Sequence, residues 1–349
     1  YRIVAPDFEF DVPNSVAALR DSLVALCPEE TKGIDRLLRL CNRIDEQLRE
    51  LPQHAGPLGL LTFPFRFPHV VRYGNRTLRQ GLDRFLRDPR LKTVLGSLCM
   101  CFATPVSRIS FALWTHLVMG LVHEGACYCK GSFQQLARAF VLGLENHGGR
   151  IAYQQTVESI DVANGAVRGV RLREGHVVEA DTVICNADMV DTYTRLLPAD
   201  HRPSGMVEKL RAMRQTLGGF TVYVETDLDL ATTGLVHETA VLGDLDLEAC
   251  FAGLENGRNT AFVLSAPSLS DPGLCPEGKH QLMIATFVPY DPNVDRTAKD
   301  ARKMELLERA YAVVPELRGR VLYAEAGSPR TCERYTANYR GAALGWEAS

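Results

Sequence analysis

Residues 130–188 read KGSFQQLARAFVLGLENHGGRIAYQQTVESIDVANGAVRGVRLREGHVVEADTVICNAD. Ser132 is an N-cap candidate, and Gln135 three residues later suits a capping box. Phe133, Leu136, Ala137, Phe140 and Leu144 recur at helical spacing and predict one apolar face. His147-Gly148-Gly149 stops that helix, because glycine takes the left-handed conformation at low cost. Ile151 to Tyr153 suit a strand. Asn164-Gly165 is a hairpin signal between Ile160/Val162 and Val167/Val170/Leu172. Thr182-Val183-Ile184-Cys185 is a continuous apolar run, as expected of a strand covered on both faces and ending at Asn186-Ala187-Asp188. The expected core of this block is Phe133, Leu136, Phe140, Ile151, Val183 and Ile184.

Upstream, Phe8 to Val12 alternates and stops at Pro13, and Asn14-Ser15 caps a helix carrying Val16, Leu19, Leu23 and Leu26. Ile34, Leu37, Leu38, Cys41, Ile44, Leu48 and Leu51 line one face of a long helix. Gly56 to Tyr73 breaks the pattern with Pro, Gly and Phe. Leu78 to Leu86 and Leu91 to Phe102 are helical again. Ile109 to His123 is apolar on nearly every side, which fits a core helix, a substrate tunnel or a membrane-dipping surface. Downstream, a helix is expected through Val190, Tyr193, Leu196 and Leu197. Phe220 to Glu225 alternates cleanly, 261–264 and 282–288 read as strands of the same sheet, 301–314 as a helix and 321–324 as a strand. The strands before and after the 131–197 block therefore belong together, and the block interrupts a second, mostly antiparallel domain.

The chain has 349 residues, a net charge of −3 and 46% hydrophobic residues, an ordinary globular composition in which nothing suggests a nucleic-acid partner, which would need a basic face. Ten cysteines include Cys99/Cys101 and Cys127/Cys129, spaced unlike a metal framework, so buried free thiols in a reducing compartment and no metal are the expectation. No run reaches the roughly 18–20 apolar residues of a membrane span. Cytoplasmic or organellar placement, with peripheral membrane contact, is compatible with that.

The quoted stretch resembles the middle of the flavin-dependent phytoene desaturase, carotenoid isomerase and retinol saturase family. The likeness rests on Lys130-Gly131, Gly148-Gly149, Thr156-Val157-Glu158-Ser159-Ile160 and Asn186-Ala187-Asp188. It continues through Ser268 to Lys279-His280, Cys332 to Thr336, and Gly341-Ala342-Ala343-Leu344-Gly345-Trp346, and so covers most of residues 1–349. The resemblance implies a mixed α/β fold, in which a partial FAD/NAD(P)-binding Rossmann-like domain is interleaved with a mostly antiparallel substrate-binding domain and a helical subdomain. The implied parts are 1–128 (substrate-binding and helical), 129–200 (FAD-binding), 201–320 (substrate-binding) and 321–349 (returning toward the FAD-binding domain).

By the same resemblance FAD is the cofactor and a long apolar polyene, such as phytoene, a lycopene precursor or retinol, is the substrate. Val157 is the position whose backbone meets the adenine edge, and Asn186 and Ala187 end a strand where open α/β sheets place ligands. Gly345 and Trp346 belong to the segment that approaches the isoalloxazine, with Arg334 and Tyr335 the polar catalytic candidates beside it. Each has a plain alternative: a core valine, a helix-capping turn, and a glycine turn with a buried tryptophan. Phe63, Phe65, Phe67, Phe102, Phe111 and Trp114 suit an apolar tunnel. No Gly-x-Gly-x-x-Gly occurs, which leads to the expectation of an internal fragment. The competing reading is a cofactor-free relative that binds lipid or protein.

Overall fold

A computed structural model describes residues 1–52 and 57–347. Gly56, at the head of the expected break, and residues 348–349 lie outside them. The larger sheet has seven strands: β1 (Arg2–Val4), β2 (Glu9–Asp11), β6 (Gly218–Thr226), β7 (Glu238–Leu242), β8 (Ala261–Ser265), β9 (His280–Val288) and β10 (Val321–Gly327), in the order β10-β6-β9-β8-β7-β1-β2. Only β1 and β7 run parallel; the other pairs are antiparallel. The amino-terminal strands thus close a sheet whose remainder lies beyond residue 217. A second sheet holds β3 (Val157–Ala163), β4 (Ala166–Leu172) and β5 (Val177–Glu179).

The alternation of β6 puts Phe220, Val222 and Val224 on one face, opposite Thr286, Ile284 and Leu282 of β9. Side chains of period two reach the same face, so the two strands present one apolar surface. Leu306, Leu307 and Ala310 of the helix Arg296–Val313 complete that core. Met304 on the same helix is half exposed. The second core lies among helices. Ile34, Leu37, Cys41 and Ile44 of Thr31–Arg49 meet Phe111, Trp114, Val118 and Val122 of Phe111–Glu124. The all-round apolar segment packs largely into this core through Phe111 and Trp114; Phe67 is also buried, while Phe65 is exposed.

Several expectations are corrected. The helix Phe133–Asn146 forms, but none of its residues is buried, and Phe140 is 73% exposed. Ile151 is exposed, Val183 is half-buried and Ile184 is 93% exposed, so the expected core of the block does not assemble. Residues 151–153 and 182–187 form no strand. An apolar run becomes a covered strand only when neighbours supply ladder partners, and no described strand pairs with 182–185. The capping box at Ser132 is also absent: Ser132 Oγ accepts from Gln134 N, and Ser132 has φ +78°. Where 57–73 was expected to break pattern, two helices form, Pro57–Arg66 and Pro68–Tyr73. Proline at the first position of the second costs no helical hydrogen bond. The turn after Asp188 closes as one π-helical segment, Thr192–Leu196.

Candidate functional site

The end of the 130–188 stretch and the 339–346 turn meet at Asp188. Its carboxylate caps its own helical turn, accepting from Val190 N (2.7 Å) and Asp191 N (3.4 Å), and also accepts from Tyr339 N (3.1 Å). One side chain therefore ties together segments 151 residues apart in sequence. Asn-Ala-Asp acts as the helix cap its composition predicts, and Asn186 and Ala187 are exposed beside it.

The turn is held from its other side by the approach to β6. Gln215 bridges to Trp346 and Gly218 to Ala342. Thr216 N donates to Gly345 O at 3.0 Å, and Leu344 N donates to Thr216 Oγ1 at 3.1 Å. The two glycines of the turn differ. Gly341 has φ +55°, and a Cβ there would overlap the Pro329 carbonyl, so close packing requires it. Gly345 has φ +76° with nothing within 4 Å of an added Cβ. Its backbone is open to a flat ligand on the side where an ordinary residue would carry its side chain. Trp346 beside it is half-buried. These features fit the group that the resemblance implies there.

Arg334 and Tyr335 are placed elsewhere. They line a charged groove of about 960 Å³ between the helix Arg296–Val313, β10 and the helix Pro329–Thr336. The Arg334 guanidinium lies over the Tyr335 ring at 5.8 Å, and Tyr335 is 79% exposed. Among the described residues neither makes a hydrogen bond to the 341–346 turn. Glu333, on the helix Pro329–Thr336, links that helix to the turn: it accepts from Tyr290 Oη (2.6 Å) and Arg340 N (3.1 Å). That hydrogen bond holds the Tyr290 hydroxyl's pKa above its ordinary value.

Val157 opens β3, and its carbonyl takes a long contact from Arg195 Nη1 (3.4 Å). Arg195 is held by Asp191 at 2.6 Å, which raises the guanidinium's pKa further. The crossover at Lys130-Gly131 is pinned by Gly131 N donating to Asp271 Oδ2 (2.6 Å), and Tyr128 lies against His237 with ring centres 4.9 Å apart. Sequence reasoning missed Asp188 as a cross-link, Thr216, Glu333 and Asp271. Asp271 and Glu333 stood inside quoted motifs, but nothing in the pattern shows which distant backbone N–H a carboxylate will meet. Cys27, Glu29 and Asp88 place potential ligand atoms within 4.8 Å of one another, but Arg90 Nη2 donates to both Cys27 Sγ (3.3 Å) and Asp88 Oδ2 (2.8 Å), so a cation already sits there.

This arrangement of sheet, helical layer and returning turn is shared with solved structures. An engineered putrescine oxidase shares it at a TM-score of 0.60 and 13% identity, over 99% of this chain and 70% of the other. Residues 67–340 match the flavin containing amine oxidoreductase family, and the chain belongs to that family. Among relatives, a chloroplastic prolycopene isomerase of Daucus carota is 27% identical over 97% of this chain and 58% of its own length. A zeta-carotene-forming phytoene desaturase of Myxococcus xanthus is 30% identical over 63% of this chain and 42% of its own. The chain thus spans roughly two-fifths to three-fifths of the length of these relatives.

Proposed function

We propose that the protein is an FAD-dependent oxidoreductase or isomerase of long apolar polyenes. The observation that carries the reading is the 339–346 turn meeting Asp188: an open, glycine-backed surface in a family that contains flavin. The names of the carotenoid-acting relatives support the substrate class. When bound, the flavin would accept or return a hydride, and this covers desaturation, saturation and, without net oxidation, isomerisation.

The chain's own residues do the placing. Gly345 leaves its backbone open to the ring, and Trp346 walls one side. Thr216 fixes both through Gly345 O and Leu344 N. Asp188 ties the end of the Asn186-Ala187 segment to the turn at Tyr339 N. Val157, at the start of β3, serves the adenine end, and Arg195 anchors that strand end. Arg334 and Tyr335 act from the charged groove that Glu333 also lines. The four sequence segments 1–128, 129–200, 201–320 and 321–349 are proposed as alternating parts of a substrate-binding and an FAD-binding domain. The apolar substrate is drawn from a membrane by peripheral contact, in a cytoplasmic or organellar setting. No described helix is long and apolar enough to cross a bilayer.

The test is flavin binding followed by protein fluorescence. Trp346 emission should be quenched on adding FAD, and a Trp346→Phe variant should lose that quenching while still binding. Quenching that survives in Trp346→Phe would place the ring elsewhere.

A further inference from the structure

The helices Pro57–Arg66 and Pro68–Tyr73 carry an exposed apolar surface that no element among the described residues covers. Phe65 is 85% exposed and Leu61, one turn earlier, 74%; Val71 is 49% exposed. The surface is rigidly mounted. Phe67 is buried and its ring lies 5.0 Å from that of Phe63. Gln47 Oε1, on the helix Thr31–Arg49, accepts from His69 N and Val70 N and so caps the second short helix. Tyr73 is buried at its other end. Solvent-facing phenylalanine at this level, on a well-anchored element, is unusual unless something apolar meets it.

The charge around it states what that something is. Residues 51–82 contain Arg66, Arg72, Arg76 and Arg79 and no aspartate, glutamate or lysine, in a chain whose net charge is −3. Among the described residues Arg66, Arg72 and Arg76 form no ion pair, whereas Arg79 reaches Asp83 at 3.8 Å. The Arg66 and Arg72 guanidiniums lie over the neighbouring Phe67 and Tyr73 rings, at 5.4 and 5.8 Å. Exposed arginines interspersed with protruding apolar side chains on one segment are complementary to a bilayer with anionic headgroups: the apolar side chains enter the acyl boundary while guanidiniums meet phosphates.

We infer that the 57–76 segment is an interfacial anchor that docks the protein on anionic lipid bilayers. The inference rests on the proposed membrane source of the substrate and adds its place and its lipid charge. The helix Phe111–Glu124, a rival by sequence, is spent in the core.

Vesicle flotation tests it, with zwitterionic phosphatidylcholine vesicles and with vesicles in which roughly a third of the lipid is phosphatidylglycerol. The protein should float with the anionic vesicles and much less with the neutral ones. Leu61→Asp/Phe65→Asp should abolish flotation with both. Arg66→Gln/Arg72→Gln/Arg76→Gln should bind anionic vesicles about a hundredfold more weakly, at roughly fivefold per arginine, with neutral binding unchanged. All these side chains are exposed, so the variants should keep the wild-type unfolding midpoint. Flotation that ignores both the substitutions and lipid charge would overturn the anchor and leave membrane contact standing elsewhere. No flotation with either vesicle would overturn both.

Discussion

Gly341 and Gly345 should respond differently to the same added methyl group. At Gly341 the backbone has φ +55°, which costs an L residue about 1–2 kcal/mol. Its Cβ would also overlap the Pro329 carbonyl, a backbone group that no rotamer change can move aside. Relieving that contact shifts the 339–341 turn or the helix Pro329–Thr336, an overpacking cost of about 1–3 kcal/mol. Gly341→Ala should therefore lose about 2–5 kcal/mol of stability. At Gly345 the conformation is similar, φ +76°, but the space is empty, so Gly345→Ala should lose only about 1–2 kcal/mol. Urea unfolding reads both by tryptophan fluorescence, because one of the two tryptophans is Trp346 in this turn and the other is Trp114 in the helical core. Flavin affinity should invert the order among molecules that remain folded: Gly345→Ala places its methyl where the ring would lie and should weaken binding at least tenfold. Equal stability losses within about 0.5 kcal/mol would refute the packing argument. Undiminished flavin affinity in Gly345→Ala would refute the assignment of the open face.

Asp188→Ala removes a helix cap and the link to Tyr339 N, and should cost about 2–3 kcal/mol, while Asp188→Asn keeps the cap and should cost less; thermal unfolding checks the order. Asp88 is held down to about 2, first by its hydrogen bond from Arg90, so its stabilising contribution is present above its ordinary pKa near 4 and is lost as pH falls from there toward 2. Unfolding free energies measured between pH 5 and pH 2 should fall more steeply for the wild type than for Asp88→Asn, and parallel curves would contradict this. Phe140→Ala, whose ring is 73% exposed, should change stability by less than about 1 kcal/mol, whereas Trp114→Ala in the core should cost about 3–5 kcal/mol, both read from denaturant midpoints.

What the sequence reveals divides along a physical line. Patterns satisfied by partners nearby in sequence, or by one continuous sheet, are legible: Phe220 to Glu225 alternates and forms β6, and Asn164-Gly165 turns β3 into β4. The face of Ile34 to Ile44 is also what packs against the core. Patterns that need an outside partner are legible as pattern and fail as burial. Phe133, Leu136 and Phe140 sit at helical spacing and stay in solvent, and Val183-Ile184 has no ladder partner. The Pro57–Arg66 helix was hidden because Pro64 and the phenylalanines masked its period. At the site, the glycine turn and Asn-Ala-Asp could be found by motif. Their union through Asp188 and Thr216 could not, because a side chain's long-range hydrogen-bond partner leaves no periodic trace. Arg334 and Tyr335 stand next in sequence to Glu333 and line the same charged groove, but Glu333 is the one whose carboxylate reaches back to the turn at Arg340 N.

The central claim is polyene chemistry on a flavin site, and product analysis tests it most directly. The FAD-loaded protein is incubated without oxygen with a polyene series in vesicles, once with oxidised and once with chemically reduced flavin, and the polyenes are separated by chromatography with absorption spectra. The account predicts a flavin-dependent change in the number or geometry of conjugated double bonds for at least one polyene, with diamines left untouched. Unchanged polyenes in both flavin states, together with oxidation of a diamine such as putrescine, would contradict it.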